Sequence, residues 1–531
     1  MIIINQIVVG SKYIECCDEQ KSRCERRSIQ MKKIILLLAM CVIVSGCQKT
    51  PDESAVVSKK GGLDESMIAQ EMKSDEKRIV DIPEHWKMNE QKSNDRVSIS
   101  ADLKLETMSL GNLPVIEVKN HKLTQSELNK LVTYFTGEEE LYVSQNPTKE
   151  FYQEVLARIE NGEGAYGDSI MLTSVGSFKE DLKNIIEQAP DQASIEKKTT
   201  IEFGKETKDL AYKSFEKLGG ISSEETEKQY DIYFSADVGE EREASIQAET
   251  YQSELHNYSK FSWEKGSEVI TSNLVQSTIS ANDFAQQNQV GDTEYIKKLS
   301  EILNAFRNQM ESISIDETKE LHTAEKVIGD LKIQDMTLSS SQKALWFPKG
   351  TCPDMNEVLL SDDIFWQAEL ENAEVGYQFV FSKEIEGVQI QKSKTSYVEQ
   401  QNLYSPPFPV ETITIMVTES GVKGFSWNGM SEEEKQIAEN TNLLAFDKIQ
   451  QQLIDQIMYK YSAKGQPAND TTTFQYDIIE AKLIYTYITA YDNPENAWLV
   501  PAWFFVVDGK ERELQNWYFT INALDGGVIT G

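Results

Sequence analysis

The sequence is poor in cysteine and histidine. Six cysteines and four histidines occur among 531 residues, and three of the cysteines lie in the first 30 positions. No HExxH or CxxC pattern is present, and no second pair of ligands stands at the spacing of a zinc site. The sequence therefore predicts neither a metal site nor a disulfide framework, and no metal or catalytic role is assigned to the histidines, which are His85, His121, His256 and His322.

Basic residues are also in deficit, and this limits the classes of partner. Lys and Arg number 53 against 86 Asp and Glu, which gives a formal net charge of -33. A field of this sign repels phosphate groups, so we expect no nucleic-acid binding. No GxxxxGK[ST] loop occurs, and we expect neither nucleotide nor any other cofactor to bind.

No apolar run is long enough to cross a membrane. Residues 34–44 are eleven consecutive apolar residues, which rise only ~16 Å as a helix against roughly 30 Å of hydrocarbon. The run follows Lys32 and Lys33 and ends in the sequence V-S-G-C at Cys47. A basic start, a short apolar run and small residues before a cysteine indicate a signal peptide at 31–46.

The V-S-G-C sequence resembles the lipobox of bacterial lipoproteins. Small residues let a peptidase approach the backbone, and a cysteine thiol can take a diacylglyceryl thioether. We therefore expect Cys47 to be lipidated and to tether the chain to the outer face of the cell membrane. The alternative is a buried helix with a chance cysteine.

The segments on either side of this leader are not predicted to form domains. Residues 1–30 hold Cys16, Cys17 and Cys24 among mixed charges, and we interpret them as a mis-called gene start upstream of Met31. A functional N-terminal cysteine cluster is the alternative. Residues 47–77 are polar and have too little apolar content to pack, so they are predicted to be a flexible tether.

The remaining chain is too long for one core and predicts an α+β protein of several domains. We expect antiparallel sheets packed with helices in an N-terminal domain (78–220), a middle domain (221–358) and a C-terminal domain (359–531). Alternation at 97–105 predicts a strand, and Thr124 with Glu127 forms a capping-box pattern before a helix. Further helices are predicted at 149–160, 206–218, 293–311 and 318–331, and strands at 230–236 and 243–251.

Three segments begin with similar residues and raise the possibility of an internal repeat. Segments 206–210 and 317–321 read ETKDL and ETKEL, and 124–128 is a looser third copy. The alternative is convergent helix-start chemistry, because acids and threonine are favoured at that position.

The C-terminal domain is predicted to be sheet, helix and sheet. A hairpin is expected around Glu386 and Gly387, and a helix from Phe446 to Tyr461. Strands are expected at 413–417, 422–427, 479–487, 499–507 and 517–523, with Asp-Gly turns after the last two.

Three short stretches in this domain carry a family resemblance. Segments 442–444 (NLL), 499–505 (LVPAWFF) and 521–526 (INALDG) resemble uncharacterised lipoproteins of Gram-positive bacteria that share a domain of unknown function. About the last 90 residues are also similar to PepSY-like domains and to the extracytoplasmic regulator of an essential cell-wall sensor kinase. The resemblance implies a β-α-β fold and binding or restraint of another extracytoplasmic protein. It supplies no catalytic residues.

Other candidate chemistry is weak. No GxSxG pattern occurs, and Cys352 is a lone thiol without a nearby partner. Loop acids could bind calcium, but none follows an EF-hand pattern, so we expect them to be solvated; they are Asp354, Glu357, Asp362, Asp363, Asp492 and Glu495, with Asn493. Tryptophans cluster in the C-terminal third, and core packing is favoured over a ligand surface; they are Trp346, Trp366, Trp427, Trp498, Trp503 and Trp517.

Three hypotheses about function follow. The first is a non-enzymatic binding or regulatory lipoprotein that contacts another envelope protein. The second is a peptide- or glycan-binding lipoprotein, for which a cleft with exposed tryptophans would be expected. The third is a cell-wall hydrolase, which would need two buried carboxylates about 5–9 Å apart in a cleft.

Overall fold

The computed structural model describes the body of the chain with gaps; the described residues are 82–93, 96–105, 112–144, 148–160, 183–192, 196–214, 223–252, 257–287, 293–349, 369–391, 408–463, 473–490, 493, 495–509 and 516–530. The chain divides into two compact units. The first comprises 1–54, 146–193 and 359–362, and the second comprises 55–145, 194–358 and 363–531.

Among the described residues strands outnumber helices, and most strands follow one another without an intervening helix. The helices are α1 (Gln125–Thr136), α2 (Lys149–Glu160), α3 (Ser272–Gln287), α4 (Thr293–Ser312), α5 (Glu317–Leu331) and α6 (Phe446–Ala463). The strands are β1 (His85–Lys92), β2 (Val97–Lys104), β3 (Val115–Asn120), β4 (Leu141–Tyr142), β5 (Gly204–Ser214), β6 (Ser223–Val238), β7 (Ala244–Gln252), β8 (Asn257–Lys265), β9 (Glu268–Thr271), β10 (Met336–Phe347), β11 (Glu374–Ile385), β12 (Val388–Gln389), β13 (Thr412–Thr418), β14 (Gly421–Asn428), β15 (Ser431–Ala438), β16 (Phe474–Thr489), β17 (Ala497–Asp508), β18 (Trp517–Asn522) and β19 (Val528–Thr530).

The described part of the first unit is helical. It contains α2, as predicted at 149–160, and a short helical segment at 183–188. The backbone amide of Lys149 donates to the carbonyl of Pro190 at 2.8 Å, and its ammonium group lies 2.9 Å from Asp191. These two contacts join the start of α2 to Pro190 and Asp191, which follow the helical segment at 183–188.

The described residues of the second unit form two sheets. In the first sheet the strands follow the order β1-β2-β16-β17-β18-β19, and β3 pairs with both β17 and β15. Its pairings are antiparallel with one exception: β2 and β16 run parallel, with Val97 beside Phe474. The first sheet therefore departs at that pairing from the purely antiparallel arrangement expected from sequence.

Helix α6 packs on one face of the first sheet. Its residues Phe446, Ile449, Leu453 and Ile457 are buried at the i, i+3, i+4 spacing that places side chains on one helical face. They contact Trp86 from β1 and alternate residues of β17 and β18, including Trp503 and Phe519. The predicted helix and its apolar face are confirmed.

The second sheet is larger. Its strands follow the order β4-β6-β7-β8-β14-β13-β11-β10-β9, with β5 on β6 and β12 on β11. Helices α1 and α5 pack on it through residues that include Leu128, Leu131, Val327 and Ile328. Helices α3 and α4 cover the end formed by β9 and β10. The α+β class is therefore confirmed.

The strands of the predicted domains interleave in these sheets. The first sheet combines β1 to β3 from the segment 78–220 with β15 to β19 from the segment 359–531. The second sheet draws strands from all three predicted segments. Non-local strand pairing of this kind leaves no signal in local sequence patterns, so the boundaries drawn at 220 and 358 do not separate the sheets.

The helix predicted at 206–218 is wrong. Residues 204–214 form β5, which pairs antiparallel with β6 from Gly204 opposite Tyr233 to Ser214 opposite Ser223. Pairing with β6, the next strand in the chain, has overridden the local helical preference. Because 206–210 lies in a strand while 124–128 and 317–321 begin α1 and α5, the shared sequence does not mark a repeated structural unit.

A β-bulge interrupts the alternation predicted at 479–487. The register of β16 against β17 shifts between Ile478 and Glu480, so Ile479 is the extra residue and is 47% exposed. Beyond the bulge, Ile484, Tyr485, Thr486 and Tyr487 are all buried, because both faces of the strand are covered there.

Candidate functional site

Two short crossovers join the sheets and run side by side. One leads from β3 in the first sheet through His121 into α1, which packs on the second sheet. The other leads from β14 in the second sheet through Gly429 and Met430 into β15 in the first. The backbone amide of His121 donates to the carbonyl of Met430 at 2.9 Å. We refer to residues 120–124 and 429–431 as the crossover pair.

The imidazole of His121 lies between two carboxylates. Its Nε2 is 2.9 Å from Oε1 of Glu127, and its Nδ1 is 3.1 Å from Oε2 of Glu432. Glu127 belongs to the capping box of α1, where its side chain accepts from the Thr124 amide at 2.8 Å. The capping box predicted from sequence is therefore confirmed, and it also provides one half of the histidine's surroundings.

This arrangement shifts the pKa values of the three groups. Burial lowers the pKa of His121. The hydrogen bonds to Glu432 and Glu127 and the charges of these carboxylates raise it by more than burial lowers it, so the pKa lies above its ordinary value. Burial raises the pKa of Glu127, but Thr124 and His121 bring it below its ordinary value. The pKa of Glu432 is lowered mainly by its hydrogen bond to His121.

A buried carboxylate lies beside the second crossover. Glu411 is 2.6 Å from the Lys383 ammonium group and accepts from the indole of Trp427 at 2.9 Å. It also accepts from the amide of Ser431 at 3.2 Å and from its hydroxyl at 2.7 Å. Together with Tyr487 these residues form the Glu411 cluster.

Tyr487 extends the cluster into the first sheet. Its hydroxyl is 2.9 Å from the Ser431 hydroxyl. Because the Ser431 hydroxyl donates its hydrogen bond to Glu411, the Tyr487 hydroxyl is the donor in its contact with the Ser431 oxygen. Burial raises the pKa of Tyr487, and the nearby Glu411 charge acts in the same direction. The phenol therefore stays neutral, and a chain of hydrogen bonds links β16 to the residues around β13.

A second buried carboxylate has a similar set of partners. Glu117 of β3 accepts from the side chain of Asn496 at 2.6 Å and from the indole of Trp498 at 3.1 Å, and Lys435 is 3.2 Å away. Each carboxylate thus lies between a lysine on one neighbouring strand and a tryptophan on the other. These contacts are those of structural ion pairs that fix strand register.

The other described histidines are at the surface. His85 is 2.7 Å from Asp102, and its side chain is 60% exposed; His322 lies on α5 with 84% exposure. Within the described ranges, no group of three or more His, Cys, Asp or Glu residues is placed to hold a metal ion. Among the three described histidines, His121 alone contacts two acidic side chains.

Several residues considered in the sequence lie outside the described residues. They are Cys47, Cys352, His256, Trp366, Asp354, Glu357, Asp362, Asp363 and Asp492. Of the loop acids, Glu495 is described, and its amide donates to the side chain of Asn493 at 3.1 Å. That contact lies between β16 and β17 in the chain.

The described tryptophans of the C-terminal third belong to the protein interior. Trp346, Trp498, Trp503 and Trp517 are buried, and Trp427 is partly buried with its indole on Glu411. Core packing, favoured from sequence, is therefore confirmed for Trp503 and Trp517. Four of these five are therefore not exposed at the surface.

The sequence holds a match to the glycine pattern of dinucleotide-binding loops. Gly162, Gly164 and Gly167 match GxGxxG, but they follow α2 in the chain, whereas the dinucleotide-binding fingerprint follows a strand and opens a helix. The match therefore lacks the setting in which such a loop binds a pyrophosphate. Residues 161–182 lie outside the described residues.

Comparison with known proteins gives little further guidance. No protein-family model and no curated protein matches the sequence. Among solved structures, the chain is similar to an uncharacterized protein from Eubacterium rectale ATCC 33656, with 13% identity and a TM-score of 0.38 over 87% of this chain and 97% of that one. A likeness at that level carries no argument about activity. No helix in the described ranges is long and apolar enough to span a bilayer.

Sequence reasoning missed the buried carboxylates Glu117 and Glu411. Glu117 lies within V-I-E-V, where an acid interrupts an apolar strand, and this is a signal that a buried charge needs a partner. Glu411 follows Pro409 and Val410 and carries no comparable signal. Their partners Lys435, Asn496 and Lys383 are distant in sequence and could not be inferred.

Proposed function

We propose that the protein is a surface lipoprotein, held at the outer face of the cell membrane by lipid on Cys47. We further propose that it acts as a non-enzymatic binding or regulatory module toward another envelope protein. The observation that carries the proposal is the ordered pattern at 32–47: two lysines, eleven apolar residues and V-S-G-C. A signal peptide of this form leads to export and lipid attachment.

The body has properties suited to that location. The full chain has a net charge of -33, and a negative body favours solubility close to a negatively charged envelope. Both sheets of the second unit have hydrophobic cores of their own, so the described body does not need disulfides to bury apolar surface. These features support the proposal without depending on the leader.

We also propose that the C-terminal region is PepSY-like. Helix α6 lies between β15 and β16 in the chain and packs on strands β17 and β18 of the same sheet. A β-α-β order with the helix on one sheet face supports the likeness. In such domains the implied activity is binding or restraint of another extracytoplasmic protein.

The partners of Glu117 and Glu411 favour a binding module over a hydrolase. Glu117 and Glu411 each interact with a lysine, an indole and a further donor. A general acid in a glycosidase needs a carboxyl group that exchanges a proton with substrate. Carboxylates engaged in this way stabilise the fold.

The anchor is tested by labelling cells with a fatty-acid analogue and recovering the protein from membranes. We expect label on the wild type and on Cys41→Ala, which changes a cysteine inside the apolar run and is the matched control. We expect none on Cys47→Ala. If Cys47→Ala still carries acyl chains and partitions with membranes, Cys47 is not the attachment site.

The binding activity is tested by chemical cross-linking in intact cells that express the wild type or Cys47→Ala at equal levels. We expect the wild type to cross-link reproducibly to one envelope protein, and purified copies of the two proteins to bind in solution. Binding should persist with the body lacking lipid, because the lipid supplies location only. If the purified pair does not associate, the proposed binding function is wrong.

A further inference from the structure

The surroundings of His121 impose a requirement on its protonation. Both ring nitrogens face carboxylate oxygens, at 2.9 Å for Glu127 and 3.1 Å for Glu432. An ionised carboxylate only accepts hydrogen bonds, and a neutral imidazole has a single N–H. Both contacts can therefore be hydrogen bonds only when the ring is an imidazolium cation with two N–H groups.

The two carboxylates come from opposite sides of the crossover pair. Glu127 is in the first turn of α1, which packs on the second sheet, and Glu432 is in β15 of the first sheet. The backbone of His121 also bonds to Met430. One side chain therefore connects both routes by which the chain passes between the sheets.

We propose that His121 is a pH-sensitive clamp on the crossover pair. The protonated ring holds the start of α1 against β15, and loss of one proton removes one of its two hydrogen bonds and the charge that offsets two carboxylates. The start of α1 and the first residues of β15 then separate more readily. The clamp is independent of the proposed function, because it concerns the stability of the crossovers alone.

Other charged groups near the ring act on the same equilibrium. Lys119 of β3 lies 3.3 Å from Glu432 and 2.5 Å from Glu434. Its positive charge therefore offsets part of the negative charge of the β15 carboxylates. Lys122 follows His121 in the chain. The carboxylates outweigh the effect of burial, so the pKa of His121 is above its ordinary value of 6.5.

The sign of the pH effect follows from these directions. A raised histidine pKa gives a contribution that is complete below pH 6.5 and is lost as pH rises through the pKa of the folded state. The lowered pKa values of Glu127 and Glu432 give contributions present above 4.5 and lost as pH falls through their folded values. The clamp is therefore closed between pH 4.5 and pH 6.5 and opens as the pH rises through the folded pKa of His121.

The clamp is tested with the soluble body beginning after the lipid site, in its wild-type form and as His121→Gln. The control is His322→Gln, which makes the same change at an exposed histidine on α5. The ring resonances of the histidines are followed by NMR against pH and assigned with the variants. Backbone hydrogen exchange of residues 120–124 and 429–432, corrected for intrinsic rates, is measured over the same range.

We expect His121 to titrate above pH 6.5 and crossover protection in the wild type to fall several-fold as it titrates. His121→Gln should have low protection with no such pH dependence, and His322→Gln should match the wild type. Titration at or below the ordinary histidine value, or wild-type crossover protection that is independent of pH, would overturn the proposal. Equal protection in wild type and His121→Gln throughout would also overturn it.

Discussion

The Glu411 carboxylate lies 2.6 Å from the Lys383 ammonium group, although the glutamate side chain is only 3% exposed and the lysine 28%. The same carboxylate accepts from Trp427 and Ser431. Lys383 also donates to the Ser431 carbonyl at 3.2 Å. The ion pair therefore joins β11 to the second crossover as well as neutralising a buried charge.

We expect Glu411→Ala to lower the free energy of unfolding by about 3–5 kcal/mol, because it removes an acceptor from three donors and leaves Lys383 without its main counter-charge. Urea unfolding monitored by tryptophan fluorescence measures the change. The control is Glu433→Ala, an exposed carboxylate on β15, for which we expect a change within about 0.5 kcal/mol. Equal effects of the two substitutions would contradict a structural role for Glu411.

A second carboxylate gives a pH dependence of defined sign. Burial raises the pKa of Glu374, but the hydroxyls of Ser420 and Thr418 and the Lys423 ammonium group bring it below its ordinary value of 4.5. Its contribution is therefore present above pH 4.5 and is lost as pH falls through the folded pKa. We expect Glu374→Gln to reduce the urea midpoint near neutral pH and to match the wild type in strong acid. Glu371→Gln, at an exposed position before β11, is the control, and a difference for Glu374→Gln that grows in acid would disprove this assignment.

The face of α6 that packs on the first sheet is tested by a pair of substitutions. Leu453 is fully buried against the sheet, whereas Tyr459 of the same helix is largely exposed. We expect Leu453→Ala to cost about 2–5 kcal/mol, because it removes buried methyl groups and leaves a cavity. Tyr459→Ala should change the free energy of unfolding by less than about 1 kcal/mol. Similar losses for both would mean that the helix does not present this face to the sheet.

Two glycines are expected to respond to alanine in opposite directions. Gly429 in the second crossover has φ +66°, and an added Cβ would collide with the carbonyl of Pro409 and lie 2.9 Å from that of Val410. We expect Gly429→Ala to destabilise by about 1–3 kcal/mol. Gly329 in α5 has open space around it, so Gly329→Ala should stabilise by up to about 1 kcal/mol. Thermal unfolding measures both, and a neutral Gly429→Ala would show that the crossover backbone is not constrained.

Local signals in the sequence predicted several elements correctly. The capping box at Thr124 and Glu127 marked the start of α1, and the spacing from Phe446 to Tyr461 gave α6 and its buried face. The alternation at 97–105 gave β2, with Val97, Ile99 and Ala101 buried. In each case residues close together in the sequence provide the signal, which is an N-cap or an apolar face.

Features that depend on strand pairing were not predictable in this way. Segment 206–218 has the residues of an amphipathic helix start, yet 204–214 forms a strand because β6 supplies a partner. The bulge at Ile479 breaks an alternation that looked regular in sequence. Tertiary pairing decides such cases, and a single sequence does not reveal it.

The candidate site shows the same limit more strongly. His121 and Glu127 are six residues apart and could be connected through the capping box, but Glu432 lies 311 positions from His121. The partners of Glu117 are similarly remote, with Asn496 separated by 379 positions. Each ion pair depends on strand neighbours brought together by the fold.

The central claim is export with cleavage and acylation at Cys47, and mass spectrometry of the protein purified from membranes with detergent tests it most directly. We predict that the first residue is Cys47 carrying a diacylglyceryl group and that no peptide from residues 1–46 is recovered. An intact polypeptide in the cytosol that retains residues 31–46, with an unmodified thiol at Cys47, would contradict the account.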